Sequence, residues 1–262
     1  MSFPALFVSH GAPTVALEDD DYTQALEAWA RDQPAPRAAV VVSAHWEARG
    51  PVRVNVAAHP PLIYDFSGFP PPLYRLTYDA PGDPALAREV LEMLKAAGLD
   101  PASEGERGWD HGVWVPLRRL FPAADVPVVE VSLPVPRTPA LVMRIGEALR
   151  PLRDREVLLF GSGGVVHNLR RLDWSGKEAP VAGWARAFDS WVAERLERGG
   201  AEALLDYDRQ APHAELAAPT TEHFDPLLFA LGSRAPGDRA TPVFEGFQYG
   251  SLSMRSFALT PR

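Results

Sequence analysis

Runs of consecutive apolar residues alternate along the chain with segments of helical spacing. Short apolar or β-branched runs bounded by turn residues are typical of strands covered on both faces. Runs of this kind, with some less continuous patterns, predict strands at residues 5–9, 38–44, 52–56, 74–78, 126–133, 156–160, 243–247 and 251–259. Apolar residues at helical spacing predict helices at residues 22–31, 84–97, 138–149, 182–196, 201–205 and 221–231.

This alternation predicts an α/β fold: a single domain over residues 1–262 with a central mixed, largely parallel sheet flanked by helices. No linker or internal repeat interrupts the pattern. In open sheets of this class, ligands bind beyond the carboxyl ends of the strands. We therefore expect the functional pocket at that rim of the sheet.

Three histidines come directly after predicted strands. His10 follows the first strand, His45 follows the strand at 38–44, and His167 follows the strand at 156–160 and a group of glycines. Small residues beside them leave space around the imidazole rings, as a ligand site requires. Neutral imidazoles bind iron(II), zinc, copper or nickel, so these histidines predict a metal pocket at the rim of the sheet.

Two more histidines can join this cluster when the chain folds. His111 lies in a segment, 108–114, that has the character of a turn, and we expect the adjacent Asp110 to orient its ring. His223 opens the helix predicted at 221–231. The remaining histidines lie in loops and are assigned no role: His59 and His213.

The glycine-rich stretch 158–169 allows three interpretations. Its glycines could cradle a phosphate, Ser162 could be a nucleophile, or the stretch could be a turn that delivers His167 to a metal. It lacks both the Gly-Lys-Ser/Thr ending of a P-loop and the Gly-x-Ser-x-Gly context of a hydrolase nucleophile. The third interpretation is favoured, with Gly161, Gly163 and Gly164 forming the turn and Ser162 at most a hydroxyl of the pocket.

A proline-rich segment lies between the predicted strands at 52–56 and 74–78. Residues 60–72 combine prolines with aromatic side chains, which predicts an ordered loop that walls a pocket rather than a disordered linker.

The absence of cysteine excludes disulfides and thiolate metal sites, so only His, Asp or Glu can hold a metal. A net charge of -8 argues against nucleic acid as a partner. No apolar run is long enough to span a membrane, and no secretory signal is recognisable, which predicts a cytoplasmic protein.

Several blocks together resemble the class III extradiol ring-cleavage dioxygenases, in particular the branch that contains the 4,5-DOPA extradiol dioxygenases. The blocks extend over nearly the whole chain: SHGAP (residues 9–13), SAHW (43–46), WDHGVWVPL (109–117), GSGGVVHNL (161–169), EHFDPL (222–227) and GFQYGSLSM (246–254).

The resemblance implies one divalent metal per chain and no organic cofactor. His10, His45 and His223 would bind the metal, with His167 either a fourth ligand or an acid/base, and His111 would contact the oxygens of the substrate. Iron(II) would be needed for activity, but relatives of the protocatechuate type have glutamate at the position of His223. Three histidines also suit zinc, so both metals stay open.

Three functions are compatible with this set of histidines. The first is a metal-dependent dioxygenase that inserts O2 into a small aromatic diol of the DOPA kind or a related one. The second is a zinc hydrolase that uses the same histidines, since zinc lowers the pKa of bound water to about 7. The third is a non-catalytic binding protein on the same fold. The sequence leaves the oligomeric state open, a homo-oligomer included.

Overall fold

A computed structural model of the protein describes residues 2–198 and 200–261. The strands are β1 (Ala5–Ser9), β2 (Ala38–Ser43), β3 (Glu47–Arg49), β4 (Val52–Asn55), β5 (Pro101–Glu104), β6 (Val128–Glu130), β7 (Leu133–Val135), β8 (Val157–Gly163), β9 (Arg239–Phe244), β10 (Phe247–Gln248), β11 (Leu252–Ser253) and β12 (Ser256–Thr260). The α-helices are α1 (Asp21–Arg31), α2 (Pro84–Ala96), α3 (His111–Leu120), α4 (Pro139–Leu149), α5 (Gly183–Glu197), α6 (Ala201–Leu205), α7 (Tyr207–Gln210), α8 (Ala214–Ala217) and α9 (Asp225–Gly232).

The central sheet has the strand order β6-β2-β8-β1-β12-β9. β6, β2, β8 and β1 are parallel to one another, β12 runs antiparallel to β1, and β9 runs antiparallel to β12. The predicted α/β fold with a mixed, largely parallel sheet is confirmed. β1, β2 and β8 therefore end at the same edge, which brings together the segments that follow them.

Side chains of the central strands alternate between two hydrophobic cores. In β1, Phe7 packs in the core that α4, α5 and α9 complete, whereas Leu6 and Val8 pack in the core that α1 and α3 complete. Each fully buried side chain of this size contributes about 1.5–3 kcal/mol. Because helices cover both faces, the strands have continuous apolar sequences, which explains why they were recognisable.

Three strand predictions are wrong, and one of them, 251–259, is divided between β11 and β12. No strand forms at 74–78, because a 3-10 helix at Pro71–Arg75 takes up its first two residues; Pro71 and Pro72 suit the first turn of this helix. The strand predicted at 126–133 is divided. Its first part, β6, pairs with β2, and the chain then shifts so that β7 pairs with β3.

Two differences concern the predicted site. The segment 108–114 is not a turn throughout, because α3 begins at His111. The glycines after residue 160 do not start a turn either, because β8 continues through Gly163. Within the described residues, no helix is both long and apolar enough to cross a membrane.

Candidate metal centre and active site

Histidines from four separate segments meet at the carboxyl edge of the parallel strands. His10 follows β1, His45 follows β2 by two residues, His111 is the first residue of α3, and His223 lies in the turn before α9. The ring centre of His10 is 4.9 Å from that of His45 and 5.4 Å from that of His223. The sequence prediction that the strand-end histidines gather at this rim is thus confirmed: His10 and His45 are adjacent, and His167 lines the same pocket.

A hydrogen bond to Ser162 fixes the orientation and tautomer of His10. The hydroxyl of Ser162 donates to the carbonyl oxygen of Gly112 at 2.5 Å, so it is left to accept from Nδ1 of His10 at 3.0 Å. Nδ1 of His10 then carries the proton and Nε2 presents a lone pair. This Nε2 lies 3.1 Å from Nε2 of His45.

Acidic side chains lie on the outer side of the His223 and His45 rings. Nδ1 of His223 lies 3.1 Å from a carboxylate oxygen of Glu222, and Nδ1 of His45 lies 3.6 Å from one of Asp65. Nε2 of His223 is buried and finds no hydrogen-bond partner among the described residues. An outer carboxylate with a free inner nitrogen is the usual arrangement of metal-binding histidines.

One nitrogen from each of His10, His45 and His223 lies within 4.8 Å of the others. Burial, followed by the neighbouring histidines, lowers the pKa of His10 well below its usual range and that of His45 to about 3. Both rings are neutral at pH 7, and their Nε2 atoms lie 3.1 Å apart. Three neutral imidazoles that converge in this way fit a divalent metal ion.

His111 is held by Asp65 and not by Asp110, which corrects the sequence prediction. One carboxylate oxygen of Asp65 accepts from the backbone N–H of His111 at 3.0 Å, and the other lies 2.9 Å from Nδ1 of the ring, out of line for a hydrogen bond. Burial raises the pKa of Asp65, but its contacts with His111 lower that pKa to about 2. Asp65 was missed from sequence, although it is the only acidic residue of the loop 60–72.

Asp110 supports His45 instead. Its carboxylate is fully buried and accepts from the hydroxyl of Ser43 at 2.7 Å and from the guanidinium of Arg107 at 2.7 Å. The Ser43 hydroxyl in turn accepts from the backbone N–H of His45, and Arg107 donates to the carbonyl oxygen of His45. Both backbone groups of His45 are therefore anchored to this buried ion pair.

Asp65 also belongs to a second group that could hold a metal, with His45 and His111. One of its oxygens already accepts from the backbone N–H of His111. In the group of three histidines, Nε2 of His223 is buried and has no hydrogen-bond partner among the described residues, so this group is the better candidate.

The ring of His167 stacks on that of His223 with centroids 3.4 Å apart and planes at 8°. His167 lines the same pocket as the other histidines but is not part of the three-nitrogen group. Its backbone N–H donates to Ala217, which fixes the residue beside the candidate metal position.

The glycines of β8 allow the segment carrying His223 to approach the sheet. A β-carbon on Gly163 would lie 2.1 Å from the carbonyl oxygen of His223, and one on Gly161 would lie 2.1 Å from that of Pro226. Ser162 is fully buried behind His10 and does not line the pocket. The phosphate-loop and nucleophile interpretations are therefore wrong, as is the assignment of Ser162 as a pocket hydroxyl.

The histidines form the floor of a cavity of about 330 Å³. Phe66 and Phe69 line it, so the prediction that the loop 60–72 walls a pocket is confirmed. Apolar side chains dominate the rest of the lining, and an aromatic ring of catechol size fits such a space.

Comparison with known proteins identifies the family. Residues 4–251 match the profile of the catalytic LigB subunit of aromatic ring-opening dioxygenase. The chain belongs to the LigB family. Family membership makes it a metal-dependent ring-cleaving dioxygenase whose reactants are an aromatic substrate and O2. Of the three functions that the sequence leaves open, the dioxygenase is confirmed.

Relatives over nearly the full length place this LigB-family chain near one branch. It is 40% identical to the 4,5-DOPA dioxygenase extradiol of Escherichia coli over 97% of this chain and 93% of that protein. It is 38% identical to the 4,5-DOPA dioxygenase extradiol of Beta vulgaris over 97% and 95% of the respective chains. The crystal structure of an uncharacterized Escherichia coli K12 protein superposes with a TM-score of 0.83 at 36% identity, covering 98% of this chain and 100% of that one.

Proposed function

We propose that the protein, as a single catalytic domain over residues 1–262, holds one iron(II) at His10, His45 and His223 and opens a catechol ring by extradiol cleavage. The substrate is a small diol of the DOPA kind or a related one. The observation that carries this proposal is the convergence of three histidine nitrogens, each backed by an outer partner, at the floor of an apolar cavity. A cytoplasmic location without nucleic-acid or membrane partners, the oligomeric state, and the absence of an organic cofactor stay predictions from sequence.

Iron(II) bound there would supply redox coupling between the aromatic diol and O2, which zinc lacks. The chain supplies the three imidazoles and lines the cavity with the aromatic side chains Phe66 and Phe69 of the loop 60–72. Zinc is the competing metal, because three neutral histidines also satisfy its ligand preference.

Two further histidines face the substrate position. His111, held by Asp65, is placed to donate to or accept from a hydroxyl oxygen of the diol through a ring nitrogen. His167 is placed beside the metal ligands, where a ring nitrogen can take the second hydroxyl proton and return it to the opening ring. We assign His167 as the acid/base and not as a fourth ligand, because it lies outside the three-nitrogen group.

Anaerobic loading with iron(II), followed by addition of catechols and O2, tests the function. We expect one O2 consumed per catechol and a yellow ring-opened semialdehyde, measured with an oxygen electrode and by absorbance. Zinc-loaded protein is the control and should give neither signal, since zinc is redox-inert. Iron-loaded protein that consumes no O2 with any member of a broad catechol panel, DOPA included, would overturn the proposal.

Replacement of His167 by asparagine separates the two roles of this residue. Asparagine keeps a polar side chain of similar reach but cannot take up a proton, so kcat is expected to fall by about 10²–10⁴ while metal content stays at one per chain. Metal content per chain and steady-state kcat are measured on the same preparation of the variant. Loss of the metal together with the activity would identify His167 as a ligand instead.

A further inference from the structure

Arg137 lies two residues after the end of β7, and only 7% of its side chain is exposed. Its guanidinium donates from all three nitrogens: Nε to a carboxylate oxygen of Asp225 at 2.5 Å, Nη1 to one of Glu47 at 2.7 Å, and Nη2 to the hydroxyl of Thr221 at 3.1 Å. Arg137 is not one of the described residues that line the cavity, so it can act on the site only through these partners.

Two of the partners enclose the turn that carries His223. Thr221 precedes this histidine by two residues, and Asp225 follows it by two. The backbone N–H of Asp225 donates to the carbonyl oxygen of Thr221 at 2.9 Å, which closes the turn. The guanidinium of Arg137 therefore holds both ends of this turn at once.

The third partner lies on the segment that carries His45. Glu47 follows His45 by two residues and begins β3, which pairs in parallel with β7. The ion pair between Arg137 and Glu47 adds a side-chain contact to that pairing. Since the ring centres of His45 and His223 lie only 5.0 Å apart, one guanidinium joins the two segments that bring these rings together.

The chemistry of arginine suits this arrangement. A guanidinium is planar and presents its donors in fixed directions, so three acceptors around it are fixed in angle as well as in distance. Asp225 is buried, so its contact with Arg137 is little screened by solvent, whereas Glu47 is partly exposed. Metal ligands have to be held close to their productive geometry by the groups behind them, which makes such a contact important for metal affinity.

We propose that Arg137 is a positioning residue of the metal centre, which sets the separation of His45 from His223 by joining the chain segments that carry them. This inference rests on the proposed function, because that function makes the two histidines ligands. Loss of the guanidinium should then weaken metal binding although no ligand is changed. A purely electrostatic effect has the opposite sign, since removal of a positive charge favours a bound cation.

Metal titration of two variants tests the inference. Arg137→Gln and Arg137→Lys are compared with the wild-type protein by calorimetry with zinc and by the visible spectrum of the cobalt(II)-loaded protein, at a temperature where thermal unfolding shows each variant to be folded. We expect Arg137→Gln to bind zinc about tenfold or more weakly, as for loss of a partner behind a ligand, and to change the cobalt spectrum. Arg137→Lys should recover only part of the affinity, because an ammonium cannot hold three acceptors in fixed directions.

The exposed partner tests the same contact with little risk to folding. Glu47→Ala should weaken zinc binding about two- to fivefold, the range of an exposed ion pair, and should have no further effect when Arg137 is already replaced by glutamine. A direct effect of the Glu47 charge on the metal would instead persist in that background. Glu245→Ala is the matched control, because Glu245 is the exposed partner of Arg255 and should leave zinc affinity unchanged.

The outcomes separate the two proposals. Zinc affinity of Arg137→Gln equal to or above that of the wild-type protein overturns the inference, and so does an equal effect of Glu47→Ala in both backgrounds; the proposed function then stands. If Arg137→Gln does not fold, Arg137→Lys takes its place in the same titrations. Wild-type protein that binds zinc but consumes no O2 when loaded with iron overturns the function, and the zinc affinities still decide the role of Arg137.

Discussion

Alanine at position 10 is expected to leave the protein folded but to lower its metal content well below one per chain and kcat/KM by more than about a hundredfold. The ring centre of His10 lies within 5.4 Å of those of His45, His111 and His223, and the ring is buried among them. Even partners behind a ligand cost about 10–100-fold in metal affinity when removed, so loss of a ligand should cost more. Metal analysis after dialysis and O2 uptake give the two values.

His59→Ala serves as the control for this variant, because His59 is exposed and lies outside the cluster. It should retain both metal and activity. Full metal content and normal turnover in the His10→Ala protein would remove this residue from the ligand set and shift attention to the group of His45, Asp65 and His111.

Adding one methyl group at Gly163 is expected to damage the site without touching any side chain that binds a ligand. The new β-carbon would lie 2.1 Å from the carbonyl oxygen of His223. Neither atom can move without its backbone, because the oxygen belongs to the main chain and the β-carbon is bonded to it. Relief requires β8 and the turn before α9 to separate, which should cost about 1–3 kcal/mol of stability, or several degrees in melting temperature. Because His223 moves with its backbone, metal affinity should fall by about 10–100-fold.

The next glycine along the chain provides the matched control. A β-carbon on Gly164 meets its nearest neighbour, Cβ of His167, at 3.5 Å, which is an ordinary contact. Gly164→Ala should therefore bind metal almost normally and lose little stability. Equal effects of the two substitutions, by thermal unfolding and metal titration, would show that close approach to His223 is not the reason for glycine at 163.

The sequence reveals those parts of the site that depend on parallel strands. His10 and His45 are predictable because apolar runs covered on both faces are easy to recognise and parallel strands end at one edge. The position of His223 is not, since it depends on how α9 packs on β8 and the turn before it has no periodic pattern. The resemblance to a family supplied that residue, and the structure then placed it against the other two.

Asp65 and Asp110 show where reasoning from neighbours in sequence fails. Asp110 precedes His111 at the start of α3, and consecutive residues there point in different directions, so its carboxylate turns inward to Arg107 and Ser43. The carboxylate that reaches His111 comes from Asp65, 46 residues earlier in the chain. Loop conformations of this kind are set by tertiary contacts and leave little trace in the local sequence.

β8 sets the position of two ligands through the alternation of its side chains. Ser162 points toward α3 and meets His10, whereas Gly161 and Gly163 point toward α9 and admit the turn that carries His223. A one-residue insertion or deletion in β8 would exchange the faces, placing a hydroxyl against α9 and an empty position behind His10. The number of residues in β8 therefore has to stay constant if the serine is to meet His10 and the glycines are to admit the turn that carries His223.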